Sequence, residues 1–259
     1  MFDITPIAAF ADNYIWLLRN DQSQEVAVVD PGDATPVLER LQSEQLSLGV
    51  ILITHHHHDH TGGISRLKAA FPAAKVYGPA HESIPGITDP VAEGMEIPLP
   101  WQSDSLKVFD TPGHTAGHVA YAGDNLLFCG DTLFAGGCGR VFDGTMEQMT
   151  ASLQRIAQLP EETQLYCAHE YTQDNLGFAR WVEPENQAIQ EREKATRTLR
   201  SQGRPAVPSL LSLELQTNPF LRIQIPAVIA AAEQWAGKPL NENTAIFTAL
   251  RSWKDRDYD

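Results

Sequence analysis

The chain has 259 residues, with 33 acidic and 19 basic side chains, a formal charge of −14 and an isoelectric point near 5.0. That balance argues against nucleic acid and anionic membrane surfaces as partners, since both would be repelled. It does not exclude an anionic small substrate held by a local cationic cluster, and the length allows one large domain with a smaller companion.

In chain order, Tyr14–Leu18 and Glu25–Asp30 read as strands joined by the turn Asn20–Ser23, a hairpin. Residues 36–46 have helical spacing at Val37, Leu38, Leu41 and Leu46, with Thr35 as the expected N-cap and Pro36 at the first helical position. Val50–Ile53 is a short, apolar, β-branched strand, and Ile64–Ala70 after Gly62-Gly63 is helical. Ala74–Tyr77 is a further strand. Residues 84–101 are rich in Pro and Gly and read as loop, with a short edge strand near Met95–Ile97. Leu106–Phe109, Val119–Ala122 and Leu126–Cys129 are strands, the last two joined at Gly123-Asp124. Helix 146–159 and strand Gln164–Ala168 follow. The second half thus repeats the order of the first, which predicts a two-sheet sandwich with helices outside. Beyond Tyr171 strand signals stop. Helices are expected over 175–182, 184–200, 227–235 and 243–254, a small helical domain. The expected boundary gives domains 1–170 and 171–259.

The run Thr54-His55-His56-His57-His58-Asp59-His60 sits between a strand and a helix, not at a terminus where a tag would lie. In extended backbone, residues two apart point the same way, so His55 and His57 share one side while His56 and His58 face the other. Asp59 and His60 turn the corner towards a second point, an arrangement suited to two adjacent metal ions. Three more candidates follow strands: His114 after Thr111-Pro112-Gly113, Asp131 after Phe128-Cys129-Gly130, and His169 after Cys167-Ala168. Asp30, before Pro31-Gly32, either orients a ligand histidine or shapes a turn. His118 is expected to be structural or to support a ligand histidine, not to be a ligand itself, and His56, His58 and His81 have no assigned role. Cys129, Cys138 and Cys167 make no Cys-x-x-Cys pair, and Cys138 and Cys167 read as buried, inert thiols. A reducing, cytoplasmic setting fits. The N-terminus has no basic region leading into an apolar core, and no apolar run is long enough to span a membrane.

The set His-x-His-x-Asp-His, Thr-Pro-Gly-His, Gly-Asp and a late His resembles the metallo-β-lactamase superfamily over residues 1–171. The resemblance implies an α+β fold, an αββα sandwich, and a binuclear centre in which His55, His57 and His114 hold one ion, Asp59, His60 and His169 the other, and Asp131 bridges them. Zinc is the expected metal, with iron or manganese compatible. A metal-held hydroxide then acts as nucleophile, with Asp59 and Asp131 as the catalytic carboxylates.

The stretches Gly136–Arg140, His169–Thr172, Asn218–Arg222 and Arg251–Asp255 extend the likeness through the helical domain. They resemble the glyoxalase II, or hydroxyacylglutathione hydrolase, family. This implies a monomeric thioesterase of methylglyoxal detoxification that splits S-D-lactoylglutathione into D-lactate and glutathione. It also implies that Arg140, Tyr171, Arg251 and Lys254 contact the glutathione moiety. A solvated helix face is the plain alternative for Arg251 and Lys254. Phe142 stands where some members carry Tyr. Competing readings are a mononuclear-iron dioxygenase acting on glutathione persulfide, which would lack the helical domain, and a metal-binding protein without activity.

Overall fold

Segments Met1–Asp110 and Thr115–Gly130 gather into one unit, and Thr111–His114 with Asp131–Asp259 into a second. The computed structural model describes residues 2–101 and 103–259. The first unit contains β1 (Asp3–Ala9), β2 (Asn13–Arg19), β3 (Glu25–Val29), α1 (Ala34–Glu44), β4 (Ser47–Leu52), α2 (His58–Thr61), α3 (Ile64–Ala70), β5 (Lys75–Pro79) and β6 (Asp89–Val91). Its first sheet runs β1-β2-β3-β4-β5-β6, antiparallel from β1 to β3 and parallel from β3 to β6. The expected hairpin is β2–β3, with Trp16 opposite Val29 and Leu18 opposite Ala27. The two strands that periodicity missed, β1 and β6, are the sheet edges and carry Pro6 and Pro90. Proline is tolerated at an edge because a lost ladder hydrogen bond matters least there.

One face of this sheet packs Ile15, Leu17, Val28, Ile51 and Val76 against Val37 and Leu41 of α1 and Ile64 and Leu67 of α3. The alternate residues Trp16, Leu18, Ala27, Val29 and Leu52 are buried as well, so the opposite face is also covered. The second sheet of this unit is the antiparallel meander β7 (Glu96–Pro98), β8 (Ser105–Asp110), β9 (Val119–Gly123) and β10 (Leu126–Gly130). It is tied to the first by Tyr121, whose hydroxyl donates to the Ile53 carbonyl at 2.5 Å, and by Val119 N–H donating to Thr54 O at 2.9 Å. Helix α1 begins two residues before the sequence reading. Asp33, not Thr35, is its cap, accepting from Thr35 N–H at 2.8 Å.

The second unit opens with the short hairpin β11 (Leu133–Phe134) and β12 (Gly137–Cys138). Then come α4 (Met146–Ile156), β13 (Gln164–Cys167), α5 (Thr172–Val182), α6 (Gln187–Ser201), β14 (Ser209–Leu210), α7 (Leu211–Thr217), α8 (Pro226–Ala236) and α9 (Asn243–Trp253). Helix α9 continues into a π turn, Lys254–Tyr258. Thr145 and Gln148 form a reciprocal capping box on α4. Pro184 lies outside α6, which Asn186 caps through Ala188 and Ile189 N–H. The two-residue strand β14 pairs with β13, and α7 lies between Pro208 and Pro219; both are too short for a sequence period to reveal.

Phe178 of α5 stacks on Phe220 at 5.9 Å, and Phe220 meets Phe247 of α9 at 5.8 Å. Beside this core, the fully buried Glu214 accepts from Gly136 N–H at 2.8 Å, Asn218 Nδ2 at 3.0 Å, Ser209 Oγ at 2.5 Å and the Arg192 guanidinium. Asn218 also donates to Gly137 O at 2.9 Å. Helix α7 and the residue after it thereby fix the β11–β12 hairpin, and with it the loop to Arg140. Among the described residues no helix is long and apolar enough to cross a membrane.

Candidate active site

In the first unit the parallel strands β3 and β4 end side by side, which places Asp30 next to the histidine loop. Asp30 has φ 52°, in the left-handed region that a non-glycine residue seldom adopts. Its carboxylate accepts from Thr54 N–H at 2.8 Å and Thr54 Oγ at 2.8 Å, and lies 3.0 Å from His60 Nδ1. Thr54 Oγ in turn lies 3.0 Å from His55 Nδ1. With Thr54 donating to Asp30, its oxygen accepts from the His55 Nδ1 proton. The buried His55 imidazole therefore keeps Nε2 as a lone pair. His55 Nε2 lies 3.0 Å from His57 Nδ1, and the His55 and His60 rings approach to 4.1 Å.

Asp59 is oriented by Asn13, whose Nδ2 donates to it at 3.0 Å, and its Oδ2 is 3.4 Å from His60 Nε2. His56 is exposed and pairs with the half-buried Glu82 at 2.9 Å, while His58 is exposed. His118 is buried and stacks on His55 at 4.9 Å. Gly32 lets the loop close: a Cβ there would lie 1.7 Å from the Asp59 carbonyl oxygen.

In the second unit His114 and His169 flank Asp131. Asp131 Oδ2 is 3.5 Å from His114 Nε2, and its Oδ1 is 3.5 Å from His169 Nε2. Each carboxylate oxygen thus faces a different imidazole. His114 Nδ1 donates to the Arg140 carbonyl at 2.8 Å, again leaving Nε2 as the lone-pair nitrogen. Gly139 is required beside it, because a Cβ would lie 2.0 Å from Asp131 O and 3.0 Å from His114 Nδ1. Buried imidazoles with Nδ1 satisfied and Nε2 available, together with carboxylates, form the donor set that suits a divalent metal.

A cleft of ≈ 360 Å³ in this same unit is lined by His114, Asp131, Arg140, Tyr171, Arg251 and Lys254, among others. Tyr171 stacks on His169 at 4.7 Å, with planes 8° apart. Phe142 is exposed and stands edge-on to His114 at 5.2 Å. The three cations differ in burial. Arg140 is about half exposed, its side chain at 54%. Arg251 is 1% exposed, donates to Cys138 O at 3.0 Å and Asp255 at 2.8 Å, and lies over the Phe220 ring at 5.2 Å. Lys254 is 5% exposed and pairs with Asp174 at 3.3 Å and with Asp259. The sequence reading missed Asp174, Asp259, Asn13 and Glu82, and named Thr54 and Asp255 only as members of their motifs, without a role. None has a signature of its own; each is recognisable only by what it touches. Burial pushes the thiol of Cys138 up to about 11, despite the opposing charge of Arg251, and that of Cys167 up to about 12.

Residues 10–169 match the model of the metallo-beta-lactamase superfamily. A structural neighbour, the BLEG-1 B3 metallo-beta-lactamase, aligns with a TM-score of 0.63 at 24% identity, over 85% of this chain and 99% of its own. Fold and donor set together define a metal-binding α+β enzyme of the hydrolase class, built on the αββα sandwich with a helical C-terminal part. Residues 170–257 match a second model, hydroxyacylglutathione hydrolase C-terminus. The hydroxyacylglutathione hydrolase of Alkalilimnicola ehrlichii is 54% identical over 99% of this chain and 100% of its own length. That of Nitrosomonas europaea is 52% identical over 98% and 96%. The chain belongs to the hydroxyacylglutathione hydrolase family.

Proposed function

We propose that the enzyme hydrolyses S-D-lactoylglutathione, a 2-hydroxyacyl thioester, to D-lactate and glutathione. The observation that carries the reading is the cleft of the second unit, where the His114–Asp131 donor pair and the cations Arg140, Arg251 and Lys254 line one cavity. Glutathione is an anion with a thioester-bearing sulfur, so it needs positive charge at one end of its site and electrophilic chemistry at the other.

We assign two divalent ions, zinc first, to the two half-sets. His55, His57 and His114 would hold one ion, Asp59, His60 and His169 the other, with Asp131 shared between them. The two oxygens of Asp131, each facing a different imidazole, support that sharing. When bound, such ions supply a water that ionises near neutral pH and positive charge for the oxyanion. The protein's own groups do the rest. Thr54 and the Arg140 carbonyl hold the proton on Nδ1 of His55 and of His114 and so leave Nε2 of each as the ligand nitrogen, while Asp30 holds Thr54 in place. Asn13 fixes Asp59. Tyr171, flat against His169, walls the cleft beside the reacting carbon, and Arg140 and Lys254 orient the peptide by its carboxylate. The thiolate leaves without a general acid because it is a weak base.

In this reading residues 1–170 carry the chemistry and 171–259 much of the substrate binding, in a cytoplasmic monomer. The three free, buried cysteines accord with a reducing compartment. The test is turnover of S-D-lactoylglutathione by the metal-loaded protein, followed by loss of thioester absorbance. Turnover at a second-order rate constant of at least about 10⁴ M⁻¹s⁻¹ supports the assignment. Oxygen uptake with glutathione persulfide and an intact thioester would overturn it.

A further inference from the structure

The cationic end of the cleft already holds a carboxylate. Asp259 Oδ2 accepts from Arg140 at 3.0 Å and lies 3.5 Å from Arg251 Nη2, while Oδ1 accepts from Lys254 Nζ. Asp174 touches Lys254, and Asp255 touches Arg140 and Arg251, but Asp259 is shared by all three cations. Its side chain is 16% exposed and lines the same cavity as His114 and Asp131. Three cations against three carboxylates leave no net positive charge for an incoming anion.

The position is built, not incidental. Asp259 N–H donates to Lys254 O at 2.9 Å, closing the π turn. π turns place side chains where an α-helix cannot, and often mark functional sites. Tyr258 anchors the turn: its hydroxyl donates to Asp174 O at 2.9 Å, and its ring meets Trp181 edge-on at 4.9 Å. Gly177 opens the notch, since a Cβ there would lie 2.0 Å from the tyrosine oxygen. Burial raises the affinity of Asp259 for a proton, yet Lys254, Arg140 and Arg251 outweigh it and hold the carboxyl below its ordinary value. The group is therefore an anion at neutral pH.

We infer that Asp259 is a specificity-determining residue: its carboxylate stands in for the substrate's, and a glutathione-type peptide binds by exchanging its own carboxylate for that of Asp259. The inference rests on the glutathione reading above. Exchange selects for ligands that bring a carboxylate able to take over the three cations. A neutral thioester would leave Asp259 in place and gain nothing from them. Exchange also sets KM, because part of the binding is spent on releasing an existing charge-assisted contact.

The experiment compares wild type, Asp259→Asn and Asp259→Glu as metal-loaded full chains. Steady-state kinetics on S-D-lactoylglutathione are paired with calorimetric binding of S-methylglutathione, which cannot be hydrolysed. Asp259→Asn should lower both KM and the thioether Kd by about three- to tenfold, the net size of one intramolecular hydrogen bond, while kcat changes less than about twofold. Asp259→Glu, which keeps the charge, should stay near wild type. An unchanged or raised KM in Asp259→Asn, with the wild type active, overturns the inference alone. A wild type that neither binds the thioether nor cleaves the thioester overturns the functional reading and takes the inference with it.

Discussion

Replacing Arg251 by alanine should damage the fold as well as substrate binding. The guanidinium is 1% exposed and donates to the buried Cys138 carbonyl at 3.0 Å. Leaving that acceptor without its donor costs about 1–3 kcal/mol. The contact with Asp255, whose side chain is 31% exposed, adds only about 0.5–1 kcal/mol after solvent screening. Stacking over Phe220 contributes about 1 kcal/mol more. The loss comes to about 3 kcal/mol, which for a chain of this size lowers the melting temperature by roughly 10 °C. Arg140→Ala is the control. It removes a cation from the same cleft, but one that is half exposed, and should move the melting temperature by no more than about 2 °C. Scanning calorimetry reads the difference, and KM should rise in both variants. If Arg251→Ala melts together with the wild type, the guanidinium is not the packed structural group described here.

Truncation at the donor set, His57→Ala or Asp131→Ala, should remove most turnover and lower the metal retained after gel filtration, measured by elemental analysis. Lys254→Ala should raise KM more than it lowers kcat, since it removes binding remote from the reacting carbon; an unchanged KM would count against the cationic end as the carboxylate site. Cys138 and Cys167, pushed up to about 11 and about 12 by burial, remain thiols at pH 8. Iodoacetamide should modify them far more slowly in the folded protein than in urea. Because folding favours the protonated thiols, this source of stability is complete below the unfolded value of about 8.5 and fades as pH rises through the folded values. Denaturant midpoints between pH 8 and 11 should fall accordingly.

Much of the first unit was legible because its signals are local. The β2–β3 hairpin, β4 and α3 each bury a face, and period alone reveals them. The candidate ligands were legible for a different reason: His and Asp clustered at strand ends are conspicuous in sequence. What escaped is what depends on packing. Pro6 and Pro90 hid the edge strands β1 and β6. Asp33 took the cap of α1 from Thr35 by a two-residue offset that spacing does not resolve. Arg251 and Lys254 were readable as one cationic helix face, and Asp255 stood beside them in sequence. Asp174, eighty residues away, and Asp259 beyond the expected helix join them only through the fold. Asn13 and Glu82 likewise steady the histidine loop from 46 and 26 residues away.

In the proposed mechanism two half-sets of ligands hold a binuclear centre that cleaves an acyl–sulfur bond. Its most direct test is metal content measured alongside turnover of S-D-lactoylglutathione while a chelator strips the protein and the metal is restored. The account predicts about two equivalents per chain when fully active, with activity lost and regained in step with occupancy. Full activity at one equivalent, or turnover that survives complete removal of metal, would contradict it.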